Sequence, residues 1–249
     1  MVILKSPEEI EKMRRSNEIV ARILKGLSEL VKPGVTTREL DEYAESEARK
    51  EGADPAFKGY GGYPFALCTS VNSEVVHGFP SDVPLKEGDI VSLDFGVRYD
   101  EYYGDSAVTL PVGKITKTAS RLMKVTREAL YQGIDKARAG NRLGDISYAV
   151  QNFVERAGFS VVRDYVGHGI GKSLHEDPPV PNFGVRGRGI ELKPGMVLAI
   201  EPMVNEGIYK VQVKPDGWTV VTGDGKLSAH FEHTVAITED GPEILSKVL

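Results

Sequence analysis

The chain has 249 residues, a length that fits one large domain or two small ones, and its 41% hydrophobic content is ordinary for a soluble globular protein. A formal net charge of −5 provides no global basic field for nucleic acid, and a single cysteine, Cys68, excludes an intrachain disulfide framework. No apolar run approaches the roughly 18 residues of a membrane span, and no signal-peptide core stands at the N-terminus, so we expect a cytoplasmic protein.

The first two elements in chain order are predicted to be helices. Ser6-Pro7-Glu8-Glu9 supplies an N-cap serine, a proline at the first helical position and a capping-box glutamate. Apolar residues then recur at helical spacing until Pro33-Gly34 ends the helix. A second helix is predicted to begin at Thr36, where Glu39 completes another capping box, and to end near Gly52.

This helix pair has a counterpart later in the chain. A constant offset aligns Pro33-Gly34 with Ala139-Gly140 and Gly52 with Gly158, and apolar positions between these points coincide as well. Any two amphipathic helices share part of this pattern, so that simpler explanation stays open. Because strand signals follow each pair, we favour an internal duplication of a helix–helix–strand unit.

Short apolar runs bounded by turn residues predict strands in each half of the chain. The four predicted strands span residues 90–97, 107–112, 196–201 and 230–237. A tyrosine-rich hairpin around Tyr99 to Tyr102 is predicted to precede the second of them. We therefore expect one domain covering residues 1–249, composed of two similar halves of roughly 1–112 and 113–249.

Four carboxylates lie within or beside these apolar strands. Asp94 stands on the face of its strand opposite Leu93, although burying a carboxylate carries a high desolvation cost. Asp105, Glu201 and Glu232 lie in or next to the other three strands. A lone strand carboxylate is more often an edge residue than a ligand. If the four converge, their repulsion raises their pKa values, and two divalent cations would neutralise them; spacing alone leaves the convergence open.

The five histidines lie outside the predicted helices, and they are His77, His168, His175, His230 and His233. His168 is framed by glycines that permit close backbone approach in Gly167-His168-Gly169-Ile170-Gly171. For any one histidine alone, a satisfied polar side chain is the simpler interpretation. Together with the four carboxylates, however, they favour a metal-dependent site.

Eight short segments make the sequence recognisable. In chain order they are Gly59-Tyr60-Gly61-Gly62-Tyr63-Pro64, Asn72-Ser73-Glu74-Val75-Val76-His77-Gly78, Gly88-Asp89-Ile90-Val91-Ser92-Leu93-Asp94, Tyr103-Gly104-Asp105-Ser106, Gly167-His168-Gly169-Ile170-Gly171, Leu174-His175-Glu176, Ile200-Glu201-Pro202-Met203 and Phe231-Glu232-His233-Thr234. With every acidic and histidine position filled, the chain resembles the type I methionine aminopeptidases over almost its whole length. The resemblance implies their α+β pita-bread fold, in which two pseudo-symmetric halves form an antiparallel β-sheet covered by helices.

The resemblance also implies a metal centre. It places Asp94, Asp105, His168, Glu201 and Glu232 as ligands of two divalent ions, with Asp105 and Glu232 bridging them. Asp94 then completes one site, and His168 with Glu201 completes the other. Oxygen ligands with one imidazole suit Co, Mn, Fe or Zn. The implied reaction is hydrolysis of the first peptide bond by a metal-bridged hydroxide, which removes the initiator methionine from nascent polypeptides and prefers a small second residue.

Roles for the remaining residues are implied in the same way. Glu201 is expected to take the proton of the attacking water, while His77 and His175 hold the substrate and stabilise the tetrahedral intermediate. The methionine side chain is expected to occupy an apolar pocket lined by Phe57, Tyr60, Tyr63, Cys68, Leu174 and Trp218. Phe57 and Leu174 depart from the usual family pattern, which leaves the width of this pocket open.

Two other functions remain open at this point. A proline-directed aminopeptidase or dipeptidase of the same fold would use the same five ligands, but such relatives usually carry an extra N-terminal domain, whereas the first helix here begins at Pro7. A non-catalytic binding protein on this scaffold would show broken ligand positions, and all five are intact. The short spacing between Glu201 and Glu232 favours the type I branch over type II. We expect a monomer with no nucleic-acid or membrane partner, and a ribosome contact stays open.

Overall fold

The first two helices begin where their capping residues predict. In the computed structural model, which describes residues 2–247, the side chain of Ser6 accepts a hydrogen bond from the backbone N–H of Glu9, and Thr36 does the same for Glu39. The helices are α1 (Pro7–Leu30), α2 (Thr37–Lys50), α3 (Lys117–Lys136) and α4 (Leu143–Arg156), and a short 3₁₀ turn spans Tyr60–Gly62. Over the described part of the chain, none of these helices has the length and apolar composition needed to cross a bilayer.

The strands are short except for one long hairpin. In chain order they are β1 (Asp54–Pro55), β2 (Cys68–Val71), β3 (Glu74–Val76), β4 (Ile90–Tyr99), β5 (Tyr102–Pro111), β6 (Ser160–Val161), β7 (Gly167–Gly169), β8 (Glu176–Val180), β9 (Val197–Ile200), β10 (Met203–Asn205), β11 (Val211–Val213), β12 (Val220–Thr222), β13 (Ser228–His230), β14 (Glu232–Thr238) and β15 (Gly241–Ile244). The hairpin joins β4 to β5.

The main sheet is antiparallel and has the order β1-β4-β5-β14-β9-β7-β8. In addition, β2 pairs with β4 and β15 pairs with β14. Two three-stranded sheets, β13-β10-β6 and β11-β12-β3, complete the strands of the described residues. Strands from the first part of the chain form one side of the main sheet and strands from the second part form the other, joined where β5 meets β14. The prediction of an antiparallel sheet covered by helices is confirmed.

The four helices cover one face of the main sheet. Leu27 of α1 and Leu40 of α2 pack against the β4 side chains that include Leu93. In the second half, Leu130 of α3 packs in a cluster with Leu198 of β9. Since alternate residues of a strand point to opposite faces, Ser92 and Asp94 of β4 are directed away from α1 and α2. The other face of the sheet is therefore available for a site.

All four strand predictions differ from the structure at their ends, and two differ in ways that change the pairing. The strand predicted at residues 107–112 begins earlier, at Tyr102, because Asp100 and Glu101 alone form the hairpin turn with φ of 46° and 70°. The strand predicted at 230–237 is interrupted at Phe231. The chain changes sheets there, since β13 pairs with β10 whereas β14 pairs with β5 and β9.

Candidate active site

The five side chains expected to bind metal come from five strands that are neighbours in the main sheet. Asp94 lies on β4, Asp105 on β5, Glu232 on β14 and His168 on β7, and Glu201 follows the last residue of β9 directly. The sheet order β4-β5-β14-β9-β7 therefore places them side by side. Residues far apart in the sequence are brought into one row by strand pairing.

Strand register directs these side chains to the same face. Ala107 of β5 is the cross-strand partner of both Asp94 and Glu232, so all three share a face of the sheet. On the other side of β14, Ala199 of β9 is the cross-strand partner of both Thr234 and His168. Because Thr234 is two residues from Glu232, His168 shares the face of Glu232. This is the face that the helices leave free.

The ligand-type atoms lie close together. One ligand atom each from Asp105, His168 and Glu232 fall within 4.8 Å of one another. Nε2 of His168 is 3.5 Å from Oε1 of Glu201. Buried oxygens of Asp94, Asp105 and Glu232 have no hydrogen-bond partner among the described residues. Because a buried acceptor without a partner is costly, oxygens directed at a common point fit the binding of hard or borderline divalent cations.

Burial shifts the pKa of every carboxyl group in this cluster upward. Burial raises the pKa of Asp94 to about 7, and the charge of Glu201 adds to the effect while His230 opposes it. Burial raises the pKa of Glu201 to about 8. The pKa values of Asp105 and Glu232 rise well above the ordinary range, first through burial and then through the neighbouring carboxylates. Four acids in one enclosed space therefore oppose simultaneous ionisation unless positive charge is added.

The neighbouring imidazoles are kept neutral. Burial, and then the nearby His175, lower the pKa of His168 to about 3. Nδ1 of His168 donates to the carbonyl oxygen of Gly169 at 2.9 Å, which leaves the lone pair of Nε2 free for a metal. The pKa of His77 falls to about 4 through burial and the charges of His230 and His175. Burial also lowers the pKa of His175.

A cavity of about 220 Å³ opens onto the cluster. Its lining consists of the thirteen side chains selected from the sequence, and they are Phe57, Tyr60, Tyr63, Cys68, His77, Asp94, Asp105, His168, Leu174, His175, Glu201, Trp218 and Glu232. The structure thus brings every one of these candidates to one place. Their individual roles stay predictions.

Aromatic rings form the apolar end of this cavity. Tyr63 and Trp218 pack edge to face with ring centroids 5.2 Å apart. The hydroxyl of Tyr63 donates to the carbonyl oxygen of Gly78 at 2.9 Å, which fixes the ring. The free thiol of Cys68 is buried in the same wall, and burial raises its pKa well above the ordinary range. The thiol is therefore protonated and acts as an apolar surface.

Size alone does not identify the site. A larger cleft of about 620 Å³ lies between α1 and α3 on the helical side of the sheet. Lys25, Lys124 and Arg127 line it, and of the four site carboxylates Glu232 alone reaches it, whereas all four line the smaller cavity. The chemistry of the lining therefore favours the smaller cavity.

One site residue received no role from the sequence. His230 is buried, and neither ring nitrogen has a hydrogen-bond partner among the described residues. Its Nε2 is 3.6 Å from Oε2 of Glu201, so Glu201 lies between two imidazoles. The two-residue spacing between His230 and Glu232 could have indicated this position, because side chains two apart along a strand share a face.

Comparisons with known proteins agree with this geometry. Residues 11–239 match the model of Peptidase_M24, metallopeptidase family M24. Methionine aminopeptidase of Clostridium perfringens is 56% identical over 248 residues, and methionine aminopeptidase 1 of Bacillus subtilis is 53% identical over 248 residues, with 100% of each chain covered in both cases. The crystal structure of a methionine aminopeptidase from Thermotoga maritima superposes with a TM-score of 0.98 at 51% identity, again covering 100% of both chains.

Proposed function

Since this chain belongs to metallopeptidase family M24, we propose that it acts as an aminopeptidase that hydrolyses the first peptide bond and removes an N-terminal methionine. The observation that carries this proposal is the row of five ligand-type side chains facing one cavity with an aromatic end. Full-length similarity to proteins named methionine aminopeptidase supports it. The pita-bread fold of the family matches the curled antiparallel sheet with its four helices.

The proposed metal centre holds two divalent ions, drawn from Co, Mn, Fe and Zn. Asp94, Asp105, Glu201 and Glu232 would hold them through carboxylate oxygens, and His168 through its imidazole. The buried oxygens without partners and the free Nε2 of His168 support this assignment. Such ions supply a hydroxide nucleophile at neutral pH by lowering the pKa of water from 15.7 toward about 7.

Side chains of the cavity would then move the proton of the attacking water and position the substrate. Glu201 would take the proton of the attacking water, and its two carboxylate oxygens lie 3.5 Å from Nε2 of His168 and 3.6 Å from Nε2 of His230. His77 and His175 are neutral imidazoles at the cavity wall. Each can donate an N–H to the substrate carbonyl oxygen as negative charge develops there, and preorganised donors of this kind are worth several kcal/mol.

Substrate selection would follow from the two ends of the cavity. The carboxylate end, where the ions would sit, suits the free α-amine of a chain terminus, because its unprotonated nitrogen has a lone pair to offer a cation. Phe57, Tyr63, Leu174 and Trp218, together with Cys68, form an apolar end that suits an unbranched thioether side chain. The small cavity of about 220 Å³ supports a preference for a small second residue.

The wider organisation is also proposed. The chain forms one catalytic domain with halves of roughly 1–112 and 113–249, which the arrangement of strands on either side of the β5–β14 contact supports. It acts as a monomer in the cytoplasm on nascent polypeptides, and a buried, reduced Cys68 is compatible with that compartment. A ribosome contact would bring the enzyme to its substrates.

A metal titration tests the proposed function. Protein stripped by chelation, with metal absence confirmed by elemental analysis, should release no methionine from a Met-Ala-Ser tripeptide, and added Mn, Co or Fe should restore release. N-acetylated Met-Ala-Ser is the matched control, because its terminal nitrogen is an amide and no longer a free α-amine, and it should not be cleaved. Methionine release by verified metal-free protein would refute the metal centre. Cleavage of a Leu-Pro dipeptide in place of Met-Ala-Ser would favour a proline-directed enzyme instead.

A further inference from the structure

The loop between β7 and β8 carries His175 and is held by backbone hydrogen bonds, one within the loop and one from β5. The backbone N–H of Gly171 donates to the carbonyl oxygen of Ser173, and the N–H of Tyr103 donates to the carbonyl oxygen of Gly171. Nδ1 of His175 shares a hydrogen bond of 2.7 Å with the hydroxyl of Tyr60. The imidazole is thus held at its ring by Tyr60, and its position further depends on how the loop backbone is held.

A buried ion pair lies behind this loop. Nζ of Lys5 is 2.5 Å from Oε2 of Glu176, and their side chains are only 4% and 8% exposed. Nζ of Lys5 also donates to the carbonyl oxygen of Ile3. The other carboxylate oxygen of Glu176 accepts from the backbone N–H of Ser173 at 3.2 Å. Glu176 therefore joins the segment before α1 to the loop that presents His175, which is the adjacent residue.

The packing around the pair is tight. A Cβ added at Gly171 would lie 2.6 Å from Oε1 of Glu176 and 2.6 Å from Cε of Lys5. A methyl group there must therefore displace the ion pair. On its other side Lys5 is held by its backbone N–H, which donates to the carbonyl oxygen of Gly195 at 2.7 Å. The glycine, the lysine and the glutamate form one connected unit.

Stability alone is a weak reason for such a pair. Removing two charges from water costs free energy that their attraction offsets only with good geometry, and an apolar pair of similar volume is often as stable. What a short, buried pair provides is a defined distance between two segments. Here one of those segments is the β7–β8 loop, whose last residue, His175, lines the cavity. We propose that Lys5 and Glu176 are positioning residues for catalysis, which hold the β7–β8 loop so that the His175 imidazole meets the substrate carbonyl; this rests on the role proposed above for His175.

Three variants test the proposal, with one matched control. Lys5→Met and Glu176→Gln each break the pair, and Gly171→Ala displaces it while leaving both charges present. Each should lower kcat for Met-Ala-Ser by about 10–100-fold, since a misplacement of about 1 Å can cost that much. KM and calorimetric metal affinity should stay within about twofold. Lys12→Met is the control, because Lys12 forms an exposed pair with Asp100 at 3.0 Å, and it should keep full activity.

Combining Lys5→Met with His175→Ala separates positioning from a general structural effect. If Lys5 acts through His175, the kcat of the double variant equals that of His175→Ala alone. Equal fold losses in the two backgrounds, with each protein folded at the assay temperature, would overturn the proposal. If Lys5→Met fails to fold, Gly171→Ala in both backgrounds decides by the same criterion. If His175→Ala lowers kcat as expected but the fold losses of the two single variants multiply in the double variant, only the positioning role of Lys5 is refuted. If His175→Ala keeps full activity, the proposed role of His175 is refuted and this inference with it.

Discussion

Replacing Asp94 by asparagine should stabilise the metal-free protein, and the gain should grow with pH. Burial raises the pKa of Asp94 from 3.8 to about 7. The folded protein therefore binds this proton more tightly than the unfolded chain does. For an acid of this kind, folded stability is greatest at low pH and is lost as the pH rises from about 4 to about 7. Asparagine has a similar shape but no charge to bury.

The magnitude follows from the two pKa values. The difference between 3.8 and about 7 corresponds to about 4 kcal/mol, by which the buried charge of Asp94 lowers the free energy of unfolding at pH 8. At pH 5 the folded protein keeps the proton, and the same comparison gives less than about 2 kcal/mol. For a chain of this size, 1 kcal/mol shifts Tm by about 2–4 °C. Asp94→Asn should therefore raise Tm by about 10 °C at pH 8 and by less than half of that at pH 5.

The assay is thermal unfolding of chelated protein followed by circular dichroism at both pH values, after elemental analysis has confirmed the absence of metal. Asp240→Asn is the matched control, since Asp240 is exposed in the turn between β14 and β15, and its Tm should equal that of the wild type at both pH values. A Tm for Asp94→Asn no higher than the wild-type value at pH 8 would refute the reasoning. So would a gain of the same size at pH 5.

Three further outcomes are expected. His168→Ala should bind metal more weakly, and excess metal should partly restore its activity. His175→Ala should bind metal normally and lose about 10²–10³ in kcat. If calorimetry finds weaker metal binding in His175→Ala and not in His168→Ala, the two assignments are reversed. Tyr60→Phe removes the 2.7 Å hydrogen bond to His175. It should lower kcat by about tenfold, which corresponds to the free energy of one such hydrogen bond. An unchanged kcat would mean that this bond does not orient the imidazole ring. Metal binding should release more protons at pH 6 than at pH 9, because Asp94 and Glu201 have pKa values of about 7 and about 8. Titration calorimetry in buffers of different ionisation enthalpy measures the number of protons released. Equal release at both pH values would contradict the proposal that metal displaces these protons.

The local sequence determined where α1 and α2 begin. The capping boxes at Ser6 and Thr36 were sufficient because each depends on residues only three positions apart. The alternation around Asp94 also predicted correctly that its side chain opposes Leu93, since pleating is a property of a single strand. Short strands such as β6 and β11 escaped prediction, because two or three residues carry no periodicity.

The candidate site was identified from the sequence through eight motifs, and residue chemistry alone left its convergence open. That convergence depends on β5 pairing with β14, which joins residues more than a hundred positions apart and has no local signal. The pKa values of the carboxyl groups are likewise a consequence of burial, which exists only after the sheet and its cover have formed. Lys5 and Glu176 illustrate the same limit most clearly. Glu176 belongs to a recognised segment but received no role there, and Lys5 received none either; only the tertiary fold removes both from water and places them behind His175.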